Sequence, residues 1–300
     1  MAEHQSQGMV GFAGIGNMGA PMVRCLVKAG FSVRIFDTRA EATAPFKADA
    51  PNVTIAANLA EFGKGLSTVI AMLPDSKIVR AACLGTDKAA GFAKGMAPGG
   101  LVIDMSSSYP IDTQKLAKDL AKLDLNLIDA PVSGGVPKAK TGTLAIMPGG
   151  EGAQIDRAEP LLKAMGTVHR TGLLGSGHAM KALNNYVSAA GLMAACEALI
   201  VGEKFGLDPS VMTKVLNAST GRNNTTENKL AQYIVSRTFN AGFSLDLMNK
   251  DVGMAASLAN ELGVKAVELD FCSDLLGKAL EELGPTADHT AVMKYLEPKE

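Results

Sequence analysis

The segment Gly14-Ile15-Gly16-Asn17-Met18-Gly19 does most to restrict what this chain can fold into. It follows an apolar run, Met9–Ala13, and opens a stretch of helical periodicity, Met18–Ala29. In that setting each spaced glycine has a mechanical job: a tight turn, close approach of a pyrophosphate to the backbone, and close packing of helix on strand. The helix end then offers free N–H groups and a positive dipole end to phosphate. Asp37 ends the next strand about 20 residues later, where a ribose-binding acid belongs. A carboxylate there accepts hydrogen bonds from the 2′-hydroxyl of NAD and repels the 2′-phosphate of NADP. Arg39, two residues on, is of the type that holds such a phosphate. The reading is NAD, with NADP the weaker alternative.

The alternation continues well beyond this unit. Strand-like runs are Met9–Ala13, Phe31–Phe36, Val53–Ala56, Ser67–Leu73, Leu101–Asp104, Leu125–Asp129, Thr143–Met147 and Thr167–Arg170. Helical stretches such as Met18–Ala29, Lys77–Cys83 and Asp112–Leu123 lie between them, which predicts βαβ units and a mostly parallel sheet. The runs VIAML and LVIDM read as apolar throughout, as expected of strands covered on both faces. After the glycine-rich TGLLGSG the texture changes and strands disappear. His178–Phe205 lacks proline and predicts one helix of roughly 40 Å. Its apolar residues run nearly all round, which points to burial between domains. Further helices are expected over Pro209–Asn217, Thr226–Val235, Lys250–Leu262, Val264–Leu276 and His289–Leu296. The expected division is a dinucleotide-binding domain over 1–174 and an all-helical domain over 175–300.

Composition narrows the function. Hydrophobic residues make up 47% and charged residues 20% of 300, a globular balance. A net charge of −1 gives no electrostatic case for nucleic acid or an anionic membrane. Apolar stretches are broken by Gly, Lys or Asp, so no transmembrane helix is expected. The polar start MAEHQSQG lacks the layout of a signal peptide, and a cytoplasmic location follows as the default. Cys25, Cys83, Cys196 and Cys272 are scattered, which reads as reduced thiols, and the four histidines do not cluster, which argues against a metal.

Three segments place polar residues where folding alone does not ask for them. Asp129-Ala-Pro-Val-Ser133-Gly134-Gly135-Val-Pro137 follows a strand; a Ser-Gly-Gly turn exposes successive N–H groups, a nest suited to a carboxylate or else a plain β-turn. Lys181-Ala-Leu-Asn184-Asn185 sits in the long apolar helix, with Lys181 and Asn185 four apart on one face. Lysine loses its charge readily when desolvated and can then act as a general acid–base; the plain alternative is an exposed first helical turn. Asn249-Lys250-Asp251 is expected to open another helix, where either Asp251 simply complements the dipole as a cap or Lys250 reaches cofactor or substrate.

Taken together the motifs resemble the β-hydroxyacid dehydrogenases, the group containing 3-hydroxyisobutyrate dehydrogenase and tartronate semialdehyde reductase. The resemblance runs through VGFAGIGNMGAPM, IAMLPDS, VIDMSSSYP, DAPVSGGVPKAKTGTLAIMPGG, GSGHAMKALNN, NKDVGMA and TADHTAVMKYLE, and so spans nearly the whole chain. It implies a Rossmann-type doubly wound sheet followed by an all-α domain joined through the long helix. It further implies Lys181 as catalytic acid–base assisted by Asn185, and Ser133, Gly134 and Gly135 as holders of the substrate carboxylate. The cofactor would be bound by Gly14, Ile15, Gly16, Asn17, Met18, Gly19 and Asp37, with Leu73, Pro74 and Ser107 lining the nicotinamide side. Lys250 would close over the cofactor and Asp251 would support its helix. Members are dimers or tetramers, and their substrates are small 3-hydroxy carboxylic acids. Specificity is expected from Phe239, Phe243, Leu247 and the polar Asn223–Thr226 stretch, which points to a polyhydroxy acid such as glycerate or threonate. Three other readings compete: a non-catalytic dinucleotide-binding module, a methyltransferase with a similar glycine loop, and an imine reductase on the same architecture. The Lys181/Asn185 pair argues against each of them.

Overall fold

A computed structural model describes residues 8–49 and 52–298, so Met1–Gln7 of the N-terminal segment, with His4, lie outside the described residues. The chain forms two compact units, Met1–Lys181 and Ala182–Glu300.

The first unit is built on six parallel strands: β1 (Val10–Ala13), β2 (Val33–Phe36), β3 (Val53–Ile55), β4 (Thr68–Ala71), β5 (Gly100–Asp104) and β6 (Leu125–Asp129). Their order is β3-β2-β1-β4-β5-β6, a doubly wound arrangement that reverses direction at β1/β4. Successive side chains on a strand point to opposite faces. Leu101 and Ile103 accordingly join Phe12, Met22 and Ile35 on one side, while Val102 joins Phe62, Phe92, Leu116 and Leu120 on the other. With both faces covered, the central strands β1, β4 and β5 read as nearly unbroken hydrophobic runs. Toward the outer strands Arg34, Thr54 and Asn126 interrupt the pattern, and at the carboxyl edge register aligns Ala71 with Asp104 and Asp104 with Asp129. A small three-stranded sheet follows: Val132–Ser133 pairs antiparallel with Leu144–Ile146, which pairs parallel with Gly166–Val168. Two helices absent from the sequence reading, Gly135–Thr141 and Gly152–Met165, complete this part. The second of them contains Pro160, which obscures its pattern.

The second unit is all helical. Its core surrounds the long helix Ser176–Phe205, where Leu192, Cys196 and Leu199 cluster with Leu230, Met248, Val252, Leu276 and Val292. By length and composition this helix is apolar enough to cross a bilayer, with mean hydropathy 1.3 over the window that qualifies. The expectation that no stretch reaches that length overlooks it, because Ala and Met carry the pattern through a lone Gly191 and Glu197. Its inward side chains form the core just described, whereas Val187, Val201 and Phe205 remain exposed. The helix expected to start at Lys250 starts at Leu245, because Ser244 caps it by accepting from the Leu247 N–H. Lys250 and Asp251 therefore lie in its second turn, and a dipole-capping role for Asp251 is ruled out in favour of Asp246. The segment expected as one helix over Thr226–Val235 is a short α-helix, Asn224–Asn228, followed by a π-helix, Leu230–Val235.

Phe62 is wholly buried and meets Phe92 edge-on at a centroid distance of 5.6 Å. Phe62→Ala is expected to cost about 3–5 kcal/mol, seen as an earlier unfolding midpoint in urea for the first unit.

Candidate active site

The glycines of the 14–19 loop differ in what surrounds them. A Cβ at Gly14, where φ is +96°, would lie 2.2 Å from the Met72 carbonyl oxygen, and one at Gly19 would lie 1.9 Å from that of Gly14. Both positions exist for close packing. At Gly16 the nearest atom is Arg39 Nη2 at 3.7 Å, so the space over this residue is otherwise open. No side chain caps the helix Gly19–Lys28. Within its first turn the Ala20 N–H donates to the Gly16 carbonyl at 3.0 Å and the Met22 N–H to that of Met18 at 3.3 Å. Open backbone at Gly16 beside an uncapped helix start fits the pyrophosphate of a dinucleotide.

Asp37 fixes the loop from the end of β2. One carboxylate oxygen accepts the Ile15 N–H at 2.8 Å and the other accepts the Arg39 N–H at 2.9 Å. The Arg39 side chain, itself exposed, forms an ion pair with Asp37 at 3.2 Å. Burial alone would push the Asp37 carboxyl up; the bonds from Arg39 and Ile15 outweigh it and hold the group below the usual carboxylate range. The carboxylate is therefore ionised near neutral pH, with a guanidinium against it.

Further along the carboxyl edge, the loop after β4 carries half-buried Leu73 and exposed Pro74. It is tied to the loop after β5, where Ser106 Oγ accepts the Leu73 N–H at 2.9 Å. Ser106 and Ser108 are buried, and each donates to the Asp104 carboxylate, Ser106 through its N–H and Ser108 through its hydroxyl. Ser107 between them is half-buried, the one serine of the three not enclosed. After β6, Ser133 is half-buried and Gly134 and Gly135 are exposed with φ of +130° and +63°. The segment expected as a loop, a carboxylate nest or else a plain β-turn, enters the helix Gly135–Thr141 directly.

Sequence reading missed a buried polar cluster at this same edge. The Asp129 carboxylate accepts N–H groups of Gly175 and His178, each at 2.7 Å, at the start of the long helix. His178 Nδ1 lies 2.8 Å from Thr113 Oγ1, and His178 Nε2 lies 3.8 Å from Asp104 Oδ2. Asp104, Asp129, His178 and Thr113 are all at most 2% exposed. The available signal was an aspartate ending each of two otherwise apolar strands, LVID and LNLID; reading LVIDM as apolar throughout hid it. His178 and Lys181 are three apart on the helix and share a face, and Lys181 is half-buried.

Within the helical unit, Asn185 Nδ2 donates to Asp251 Oδ2 at 2.5 Å, and Asn185 Oδ1 accepts from Asn184 at 3.1 Å. Lys250 Nζ lies 3.4 Å from the other Asp251 oxygen. Asp251, 2% exposed, therefore orients both Asn185 and Lys250. The Asn223–Thr226 stretch is committed elsewhere: Asn223 Oδ1 accepts the Thr225 and Thr226 N–H groups, and Thr226 Oγ1 accepts the Asn223 N–H. This reciprocal cap explains its polarity locally and removes the argument it gave for a polyhydroxy acid. Phe239 lies under Lys294 and Arg237, and Phe243 packs edge-on to His289, so both aromatics serve the packing of their own unit.

Known proteins resemble the chain over most of its length. The family model for the NAD binding domain of 6-phosphogluconate dehydrogenase matches residues 9–175, and that for the NAD-binding of NADP-dependent 3-hydroxyisobutyrate dehydrogenase matches 175–296. The 3-hydroxyisobutyrate dehydrogenase of Pseudomonas aeruginosa is 37% identical over 265 residues, covering 86% of each chain. The 3-sulfolactaldehyde reductase of Escherichia coli K12 is 34% identical over 256 residues, 85% of this chain and 84% of that one. The solved structure of Mycobacterium tuberculosis 3-hydroxyisobutyrate dehydrogenase with L-serine superposes with a TM-score of 0.85 at 31% identity, covering 97% and 99% of the two chains. With its doubly wound sheet, open glycine loop and helical second unit, the chain belongs to the 3-hydroxyisobutyrate dehydrogenase family.

Proposed function

We propose that the protein is an NAD-dependent dehydrogenase of a small 3-hydroxy carboxylic acid, with Lys181 as its proton-transfer residue. The observation that carries this reading is a half-buried lysine one helical turn beyond His178, which is seated at the same carboxyl edge of the sheet as the open glycine loop. A bound nicotinamide supplies the hydride acceptor. The chain's own residues do the rest. Ser133 and the two positive-φ glycines after it hold the carboxylate of the acid, which sets its hydroxyl toward the helix. The amine form of Lys181 takes the hydroxyl proton as hydride leaves the carbinol carbon, and returns it in the reductive direction. Asn185, fixed by Asp251, offers Oδ1 as an acceptor one turn along the same face. Leu73, Pro74 and Ser107 line the nicotinamide side, and Lys250, oriented by Asp251, covers the cofactor.

NAD is proposed over NADP because the ionised Asp37 carboxylate both accepts from a ribose diol and opposes a 2′-phosphate. Arg39 against it weakens that discrimination by partly neutralising the charge. For the substrate, relatives named for 3-hydroxyisobutyrate and 3-sulfolactaldehyde support an alcohol or aldehyde close to an acid group. A second copy of the chain is proposed to cover the outer face of the long helix, where Val187 is 67%, Val201 68% and Phe205 84% exposed. Apolar side chains aligned on one face at such exposure mark an interface.

Five outcomes are expected. NADH formation, followed by absorbance with NAD and NADP separately over 3-hydroxyisobutyrate, D- and L-glycerate, L-threonate and L-serine, identifies at least one substrate. Lys181→Ala lowers kcat by about 10²–10⁴ while NADH still binds; retained turnover would overturn the proton-transfer assignment. Asp37→Ala lowers the NAD/NADP ratio of kcat/KM by about tenfold or more, the loss of a hydrogen bond to a charged group. Gly16→Ala leaves the melting temperature intact but abolishes its rise on adding NADH, whereas Gly19→Ala destabilises the unliganded protein because its Cβ has no room. Light scattering is expected to give at least twice the 31.1 kDa chain mass, with Val201→Asp shifting it toward the monomer.

A further inference from the structure

The proposed mechanism makes no use of the most enclosed ionisable groups of the first unit. Asp129 is fully buried, and an isolated carboxylate there would be strongly disfavoured. Burial pushes it up, while the charge of His178 and the N–H groups of Gly175 and His178 pull against that. Each of its oxygens takes one N–H at 2.7 Å, from residues 46 and 49 positions later in the chain. Those two N–H groups belong to the start of the long helix, where the dipole favours a negative charge. Asp129 cannot shift to follow a moving helix, since its own backbone exchanges two hydrogen bonds with Gly149, at 3.1 and 2.8 Å. Nor is there slack around it: a Cβ at Gly177 would meet the Met147 carbonyl oxygen at 2.0 Å, and one at Gly149 would meet Ser176 Oγ at 2.6 Å.

The His178 ring adds a second hold from a different element. Its Nδ1 pairs with Thr113 of the helix Pro110–Ala121, and the two ring nitrogens each lie 3.8 Å from a buried carboxylate, Nδ1 from Asp129 and Nε2 from Asp104. Thr113 has one hydroxyl proton, and its oxygen also lies 3.2 Å from the Tyr109 carbonyl. If that proton goes to Tyr109, the imidazole donates from Nδ1. Buried charged clusters of this kind are often matched or exceeded in stability by apolar replacements. What this one provides is a fixed geometry.

We infer that Asp129 and His178 are positioning residues for Lys181: they seat the first turn of the long helix on the ends of β5 and β6, and the amine three residues beyond inherits that placement. Three residues are about 4.5 Å of helix rise, too short for the helix to absorb a displacement at its start. The inference rests on the reading of Lys181 as the proton-transfer residue.

The test uses the full-length chain with NAD and the acid of the panel that it turns over fastest. Asp129→Asn and His178→Ala should each lower kcat by about 10- to 100-fold, the effect of misplacing a catalytic group by roughly 1 Å, while KM and NADH affinity stay within about twofold. His178→Asn, which sets an amide where Nδ1 meets Thr113, should recover most of the loss. In a Lys181→Ala background neither substitution should lower kcat further, because both act through the amine. Unchanged kcat in the folded single variants, losses that add to that of Lys181→Ala, or a parallel loss of NADH binding would each overturn the inference. Should Asp129→Asn fail to fold, the His178 pair decides by the same criteria. Full turnover in Lys181→Ala alone would instead overturn the proton-transfer reading, an outcome separate from additivity.

Discussion

A parallel sheet with helices on both faces leaves only its edges for chemistry, and in the first unit every polar feature of interest stands on one of them. The rule is geometric: parallel strands deliver the loops that follow them to one edge, and the reversal of order at β1/β4 opens a crevice there. The glycine loop follows β1, Asp37 follows β2, Leu73 and Pro74 follow β4, the three serines follow β5, and Ser133 follows β6. Ala71, Asp104 and Asp129 form the last aligned row beneath them. Those two aspartates and the loops carry the polarity of this edge.

The edge holds its shape through contacts that only glycine permits and through hydrogen bonds between neighbouring loops. The Gly14 and Gly19 backbones approach other chain segments more closely than any Cβ allows, which locks the turn that leaves Gly16 open. Asp37 stitches that turn to β2, and Ser106 stitches the β4 loop to the β5 loop. Each of these groups also bonds to the protein itself, so the loop is organised before any ligand arrives. Preorganisation of this kind lowers the ordering that binding must otherwise supply.

The sequence discloses the fold far better than the site. Strand-like runs with helix-period stretches between several of them specify the sheet, because burial on both faces of the central strands leaves a legible apolar pattern. The glycine loop is equally legible, since its spacing is the geometry. Side-chain commitments are not. Asn223–Thr226 looks like a ligand-binding polar run, yet its groups satisfy one another across a helix start. Asp251 looks like a cap, yet a serine seven residues earlier takes that job and frees Asp251 to orient Asn185. His178 looks like an isolated histidine, because its partners Thr113, Asp104 and Asp129 are separated from it by 49 to 74 positions. Local patterns encode periodicity, whereas these pairings are set by which strand ends meet.

The long helix shows how one segment answers several demands at once. Its first turn needs backbone N–H groups that a distant carboxylate can bind, so Gly175, Ser176 and Gly177 precede a histidine with no bulk to obstruct Asp129. Its inward residues, from Ala182 to Leu199, must fill the core of the helical unit, which demands small and aliphatic side chains. Its outward residues are apolar as well, with Val187, Val201 and Phe205 largely exposed. The result is a helix apolar all round with a weak amphipathic signal, although only 44% of its most apolar window is buried in the single chain. Polar residues on such a helix stand out, and His178, Lys181 and Asn185 fall at i, i+3 and i+7, a single face. His178 and Asn185 are buried and hydrogen-bonded to partners within their own units, and Lys181 between them is half-buried.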